Sequence, residues 1–424
     1  MMRIGILAEG FAEWQGGVDL LRMISDCLRL GFESSSLELL LLYPRLPALA
    51  AVHQTVLPWR RWLFESLEEG RVKPWRQLVR KQIDQSAIAR LARVRESVGA
   101  NVPVVRFRDD RELDEVARMR GLDCLMPSFR ALSASVRVPW VGYLYDFQHR
   151  HLPDLFKADD REARDQQFAA MAKSARRVIV NSRQVANDCA RFLGDGGAKF
   201  VPLPFGAAPM AEWLVDRPAL LAKHALPARY FLVSNQFWTH KNHRLVFEAL
   251  AQVVARSAQA PESGEVAIVC TGSTQDDRDP DYFPSLERFL DARGIAHRVR
   301  ILGFVPKRDQ IEIMKGALAV IQPTLFEGGP GGGAVYDAVS LGVPALVSDI
   351  PVNRELAGLG LPVEFFSPTD VVGLAALMID RMRAPAVARK AAGTLVAEGR
   401  ARRRAVGKVL VETLEAVRAG YGVP

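Results

Sequence analysis

The chain has 424 residues, enough for two domains of ordinary size, with apolar residues near half of the total and no low-complexity tract. Its 56 Lys and Arg outweigh 48 Asp and Glu to give a formal charge of +8, and no run of about twenty apolar residues interrupts it, which predicts a soluble globular protein and excludes a membrane span. Cys27, Cys124, Cys189 and Cys270 are scattered, at neither metal-ligand nor redox spacing, and predict buried free thiols in a reducing cytosol.

In chain order, Ile4 to Glu9 reads as a strand entering a loop, without the long apolar core and small-residue cleavage site of a secretory leader. Trp14 to Gly17 (WQGG) follows and precedes an amphipathic helix, so Gly16 and Gly17 either let a ligand approach the backbone or only turn the chain. Strands are predicted over 37–44, 124–128, 140–146 and 177–182, with Asn181 and Ser182 capping the next helix. Between Trp59 and Arg95, ten Lys or Arg stand against four acids, interleaved with Trp59, Trp62, Phe64 and Trp75. That pattern suits contact with an anionic membrane surface, and equally an ordinary charged helical face over a core of aromatic residues. Nucleic acid is not the expected partner, because no recognition module accompanies the basic residues.

Val201 to Pro209 (VPLPFGAAP) reads as an interdomain linker, after which strands restart over 230–235, 265–273 and 299–305. Alternating strands and helices imply parallel sheets covered on both faces, hence an α/β chain of two doubly wound, Rossmann-like domains. The predicted boundaries are 1–205 and 206–398, with a final helix over 399–424 that crosses back to the first domain. The acid-rich loop from Asp276 to Pro284 reads as a solvated turn, and His240 and His243 lack a third ligand nearby, so no metal site is expected.

The richest segment runs from Phe326 to Asp349 (FEGGPGGGAVYDAVSLGVPALVSD). An apolar strand-like run over 317–326 precedes it. Glu327 opens a loop of glycines that includes Gly331, Gly332 and Gly333, Asp337 follows on a helical stretch, and Pro344 to Asp349 reads as the next strand. In such a βαβ unit the ligand sits at the carboxyl ends of the strands. Glycines bring several N–H groups into one concavity beside a helix N-terminus, which suits phosphate or hydroxyl oxygens. Two acids bracketing such a loop point to a nucleotide-sugar pocket.

The segment resembles the signature of glycosyltransferase family four, retaining enzymes of GT-B fold, in which two glutamates with seven residues between them bracket a Gly-rich loop. Here the second acid is Asp337, and nine residues separate it from Glu327, while Ala338, Gly342, Pro344, Ser348 and Asp349 keep the pattern. The resemblance implies that Glu327 contacts the donor sugar and Asp337 the ribose. Lys241 falls on the family's diphosphate-gripping lysine, whereas Gln236 stands where an arginine is usual, leaving Arg244 as a candidate replacement. Gly303, Phe304 and Val305 match the loop that holds the base, with Gly272 on the opposite wall, and the Gly16–Gly17 turn matches the family's glycine pair. Asp146 and His149 are candidates for acceptor contacts or for a place near the anomeric carbon. No protein base is required, because a donor phosphate oxygen can take the acceptor proton. No cofactor or metal is implied.

The reading is thus a retaining transferase moving a sugar from a GDP- or UDP-linked donor to a glycan or lipid-linked acceptor. Its expected place is cell-surface polysaccharide biosynthesis, in the cytoplasm or at the inner membrane face. A nucleotide-sugar epimerase of similar fold and a catalytically silent homologue acting as a partner subunit stay open as alternatives.

Overall fold

The computed structural model describes residues 1–32, 36–45, 87–194, 199–219, 223–257, 265–276, 278–384 and 390–420. Most of the basic stretch from Trp59 to Arg95 lies outside them. Among the described residues no helix is long and apolar enough to cross a membrane.

The first sheet holds β1 (Met2–Leu7), β2 (Leu37–Pro44), β3 (Val104–Phe107), β4 (Cys124–Ser128), β5 (Trp140–Leu144), β6 (Val178–Val180) and β7 (Phe200–Pro202). All pairings are parallel, in the order β3-β2-β1-β4-β5-β6-β7. Parallel neighbours need crossovers, and these are α1 (Gln15–Gly31), α2 (Ala87–Val98), α3 (Asp110–Met119), α4 (Gln148–His151), α5 (Ala158–Ser174) and α6 (Arg183–Leu193). Local chemistry sets their starts. Asp109 accepts from Glu112 N at 2.9 Å and Ser182 from Val185 N at 3.1 Å, each satisfying an otherwise orphaned helix donor.

The second sheet has the order β10-β9-β8-β11-β12-β13, again parallel, from β8 (Tyr230–Ser234), β9 (Ala267–Thr271), β10 (Val299–Ile301), β11 (Val320–Gln322), β12 (Ala345–Ser348) and β13 (Val363–Phe366). Its helices are α7 (His243–Ser257), α8 (Tyr282–Ala292), α9 (Lys307–Gly316), α10 (Gly332–Ser340) and α11 (Val371–Arg383).

Each sheet is buried on both faces, which explains the near-continuous apolar strands. In the first, Ile4, Ile6 and Leu41 point to α1, while Leu7, Leu40 and Leu42 point to α3, α5 and α6. In the second, Phe231 and Val233 face α7 and α11, while Leu232 and Val269 face α9 and α10. The linker residues Phe205 and Ala207, and Trp213 just beyond them, are buried in that last core. All four cysteines are buried free thiols, their pKa values pushed up by burial.

The last helix, α12 (Ala392–Ala419), begins at Ala392 rather than at Gly399. Gly399 is not its start but its crossing point over the linker, where an added Cβ would lie 2.8 Å from Ala208 Cβ. Beyond it, Val406, Leu410, Leu414 and Val417 are buried in the first domain's core against α1, each such burial stabilising by about 1.5–3 kcal/mol. Gly31 and Gly407 face each other at the crossing, which lets the two helix backbones meet.

In both sheets the strand order reverses once, between β1 and β4 and between β8 and β11. Ligands of open α/β sheets bind at the carboxyl ends of strands beside such a reversal. The two reversals open onto one interdomain cavity.

Candidate active site

The cavity, about 590 Å³, is walled by the loop after β1, the ends of β4 to β6 and the linker on one side, and by the Gly-rich loop and α10 on the other. Glu327 is its most constrained acid. Its carboxylate accepts from Gln322 Nε2 at 3.0 Å and is ion-paired with Lys241, both side chains being largely buried. Gln322 is itself oriented by Asn235, whose Nδ2 donates to its Oε1 at 2.6 Å. The β8 loop is fastened to this segment by Leu325 N, which donates to His240 O at 2.8 Å, and by left-handed Asn242, which donates to Pro323 O at 3.1 Å. Residues far apart in sequence thereby hold one carboxylate against one ammonium.

Downstream, Gly331 and Gly332 adopt φ of 72° and 60°, a conformation that favours glycine. Gly331 N donates to Asn353 Oδ1 at 2.7 Å, and buried Asn353 donates back to Ser348 O at 2.9 Å, so the loop is pinned to the end of β12. An added Cβ on Gly333 would meet nothing within 4 Å; this glycine borders open cavity. Asp337, on α10, is paired with Lys307; burial raises its pKa, and the Lys307 charge works against that rise.

From the first domain, Gly16 and Asp146 reach the cavity. Asp146 Oδ1 accepts from Gln148 N at 2.9 Å. Burial raises its pKa, opposed by that N–H and by Arg164, reinforced by Glu327 and opposed again by Lys241. A raised carboxyl pKa favours folding below the ordinary carboxylate range, and the contribution is lost as pH rises through the raised value. Asp146→Asn, which keeps the acceptor for Gln148 N but never ionises, is therefore expected to melt higher than the wild type at pH 7.5 and equal to it near pH 4. Thermal melts across pH test this, and a pH-independent difference would count against it.

Several residues singled out from sequence sit elsewhere. His149 is fully buried, its Nε2 2.9 Å from Asp165 Oδ1, its ring stacked on Phe147 and its pKa lowered by burial; it does not reach the cavity wall. Its neighbour His151 instead packs against Phe326, ring centroids 5.4 Å apart. Gly17 is buried under Trp14 and serves the turn. Gln236 accepts from Ser273 N at 2.8 Å, and Gly272 N donates to Gly303 O at 2.8 Å, so these residues tie together the ends of β8, β9 and β10. With exposed Phe304 and half-buried Val305 they form a rim outside the cavity. Arg244 does not replace the missing arginine, since it pairs with Glu248 at 2.8 Å and lies over Phe289. His240 and His243 are buried, with pKa values lowered to about 2 and about 3 by burial, and His243 stacks on Phe237. Among the described residues, no three His, Cys, Asp or Glu converge as a metal-ligand group.

Sequence reasoning passed over Asn235, Gln322, Lys307 and Arg164. Polar residues at the end of an apolar strand, as in Asn235 and Gln322, were the available signal.

The domains also touch directly. Ser182 Oγ donates to Gly328 O at 3.0 Å, and Glu355 accepts from Arg183 N at 3.1 Å and Gln184 N at 2.8 Å at the start of α6. Gly328 permits this approach, because an added Cβ would lie 2.7 Å from Tyr145 O.

A family model described as glycosyl transferases group 1 matches residues 216–392. Among solved structures, Anabaena Alr3699/HepE in complex with UDP-glucose is similar to the chain at 14% identity, over 99% of this chain and 100% of that one, with a TM-score of 0.56. Sucrose-phosphate synthase from Thermosynechococcus elongatus is similar at 14% identity over 99% and 97%, TM-score 0.57, and WaaG, a glycosyltransferase involved in lipopolysaccharide biosynthesis, at 11% over 98% and 99%, TM-score 0.51. A search of curated proteins finds no match. The parallel sheets, the cavity between them and these comparisons together identify a chain of GT-B fold whose residues 216–392 match glycosyl transferases group 1.

Proposed function

We propose that the protein is a retaining glycosyltransferase that moves a sugar from a UDP- or GDP-linked donor to a glycan or lipid-linked acceptor in cell-surface polysaccharide biosynthesis. Its place in this reading is the cytoplasm or the inner membrane face. The observation that carries it is the placement of Glu327, held by Lys241 and Gln322, on the same cavity as Asp146 of the first domain, near enough for its charge to act on that carboxyl. The crystal structure of HepE with UDP-glucose favours uracil among the donor bases.

In this reading the donor lies on the second domain, its diphosphate beside Lys241 and the N–H groups at the start of α10, and its ribose near Asp337. Before the donor arrives, Lys241 is neutralised by Glu327. On binding it turns to the diphosphate, and Glu327 is left to hold the sugar. As the glycosidic bond breaks, positive charge develops at the anomeric carbon and negative charge on the leaving phosphate. Carboxylates stabilise the first, and Lys241 with backbone N–H groups the second, with no divalent ion. The acceptor hydroxyl attacks from the face the diphosphate leaves, and its proton passes to a departing phosphate oxygen.

The test is thermal-shift screening against nucleotides and nucleotide sugars, followed by acceptor-dependent release of nucleoside diphosphate in EDTA. Stabilisation by a uridine or guanosine diphosphate sugar and acceptor-dependent release are the expected results. Sugar interconversion without acceptor would replace the proposal with epimerisation. Failure of every nucleotide sugar to bind would sink both.

A further inference from the structure

Four cations line the cavity among the described residues, and three are already neutralised. Arg22 pairs with Asp19 at 3.3 Å, Lys307 with Asp337 and Arg403 with Asp26. Among the described residues, Arg164, on α5, has no carboxylate partner. Its guanidinium is held by rings instead, 4.8 Å from the centroid of Phe156 and 5.5 Å from that of Tyr145. Arginine stacks on aromatic faces readily and keeps its planar fork of donors free when it does. Arg164 is half-buried, and its charge is felt by Asp146 without pairing with it. A desolvated cation costs free energy unless a counter-charge arrives, so the place is built for an anion that the protein does not supply.

The side of the cavity decides which substrate brings that anion. Glu327, Lys241, Asp337 and the Gly-rich loop belong to the second domain, whereas Arg164, Tyr145 and Asp146 belong to the first. Resting on the transfer reading above, we propose that the acceptor carries an oxyanion, phosphoryl or carboxylate, near its attacking hydroxyl, and that Arg164 receives it. Arg164 is then a specificity-determining residue that selects acidic acceptor sugars over neutral ones.

The experiment is calorimetric titration of the full chain, saturated with UDP or GDP, with α-glucose 1-phosphate, glucuronic acid and neutral methyl α-glucoside. The wild type is expected to hold at least one charged sugar about tenfold more tightly than the neutral one, the scale of a charge-assisted hydrogen bond. Preference for the phosphate ester indicates a phosphoryl-linked acceptor, and preference for glucuronic acid a uronic acid. Arg164→Gln should erase the difference, Arg164→Lys should keep part of it, and affinity for the nucleotide should not change in either. Equal or absent binding of charged and neutral sugars to the wild type overturns the proposal, as does a preference that survives in Arg164→Gln. Weakened nucleotide binding in that variant overturns it too, by assigning Arg164 to the donor. Failure of the wild type to bind any nucleotide strikes the transfer reading first, a result distinct from all of these.

Discussion

Glu327→Gln is expected to lower transfer by about 10²–10³-fold, the loss typical of removing one electrostatic contact to a transition state, and to lower the melting temperature less than Glu327→Ala does. The amide keeps an oxygen for Gln322 Nε2 and for Lys241 and gives up only the charge. Glu327→Ala should lose at least as much activity and more stability, because it removes not only the counter-charge of the largely buried Lys241 but also the oxygen that accepts from Lys241 and from Gln322 Nε2. Turnover measured beside thermal melts separates the two effects. Near-normal turnover in Glu327→Gln would remove this carboxylate from the chemistry.

The second large effect is expected at Gly328. The added Cβ in Gly328→Ala would lie 2.7 Å from Tyr145 O and 2.8 Å from Asp146 Cβ, and a backbone carbonyl has little room to retreat. The domains must then part at the point where Ser182 Oγ meets Gly328 O. Because a shift of about 1 Å in a reacting pair can cost about 10²-fold, transfer should fall by that order. Nucleotide binding, which the proposed reading places on the second domain, should persist. Wild-type turnover in Gly328→Ala would show that this contact plays no part in the reacting state.

Much of the architecture was legible because both sheets are buried on two faces, which writes strands as apolar runs and separates them by helical spacing. The strands β3, β7 and β13 stand at sheet edges, only partly buried, and were not read as strands; β7 overlaps the start of the segment taken as the linker. Around the cavity the acids and glycines stood out as a local motif. Their supports did not, because pairings such as Lys307 with Asp337 and Asn235 with Gln322 are made only by the fold. From the motif Tyr145 to Pro153, His149 was the histidine expected at the cleft, whereas His151 is the one that meets the signature loop. A four-residue helix turns His149 into the core and His151 toward the signature loop, and spacing alone does not reveal that rotation.

The packing of α12 on α1 has a consequence for how the protein is made. The amino-terminal domain leaves the ribosome first, yet one wall of its core is built from Val406, Leu410, Leu414 and Val417. Until α12 has been made, the face of α1 on which it packs has no cover. The domain translated first is thus completed last, and a nascent chain stalled or truncated before Val406 presents that face to chaperones and proteases even though its whole second sheet has already been made.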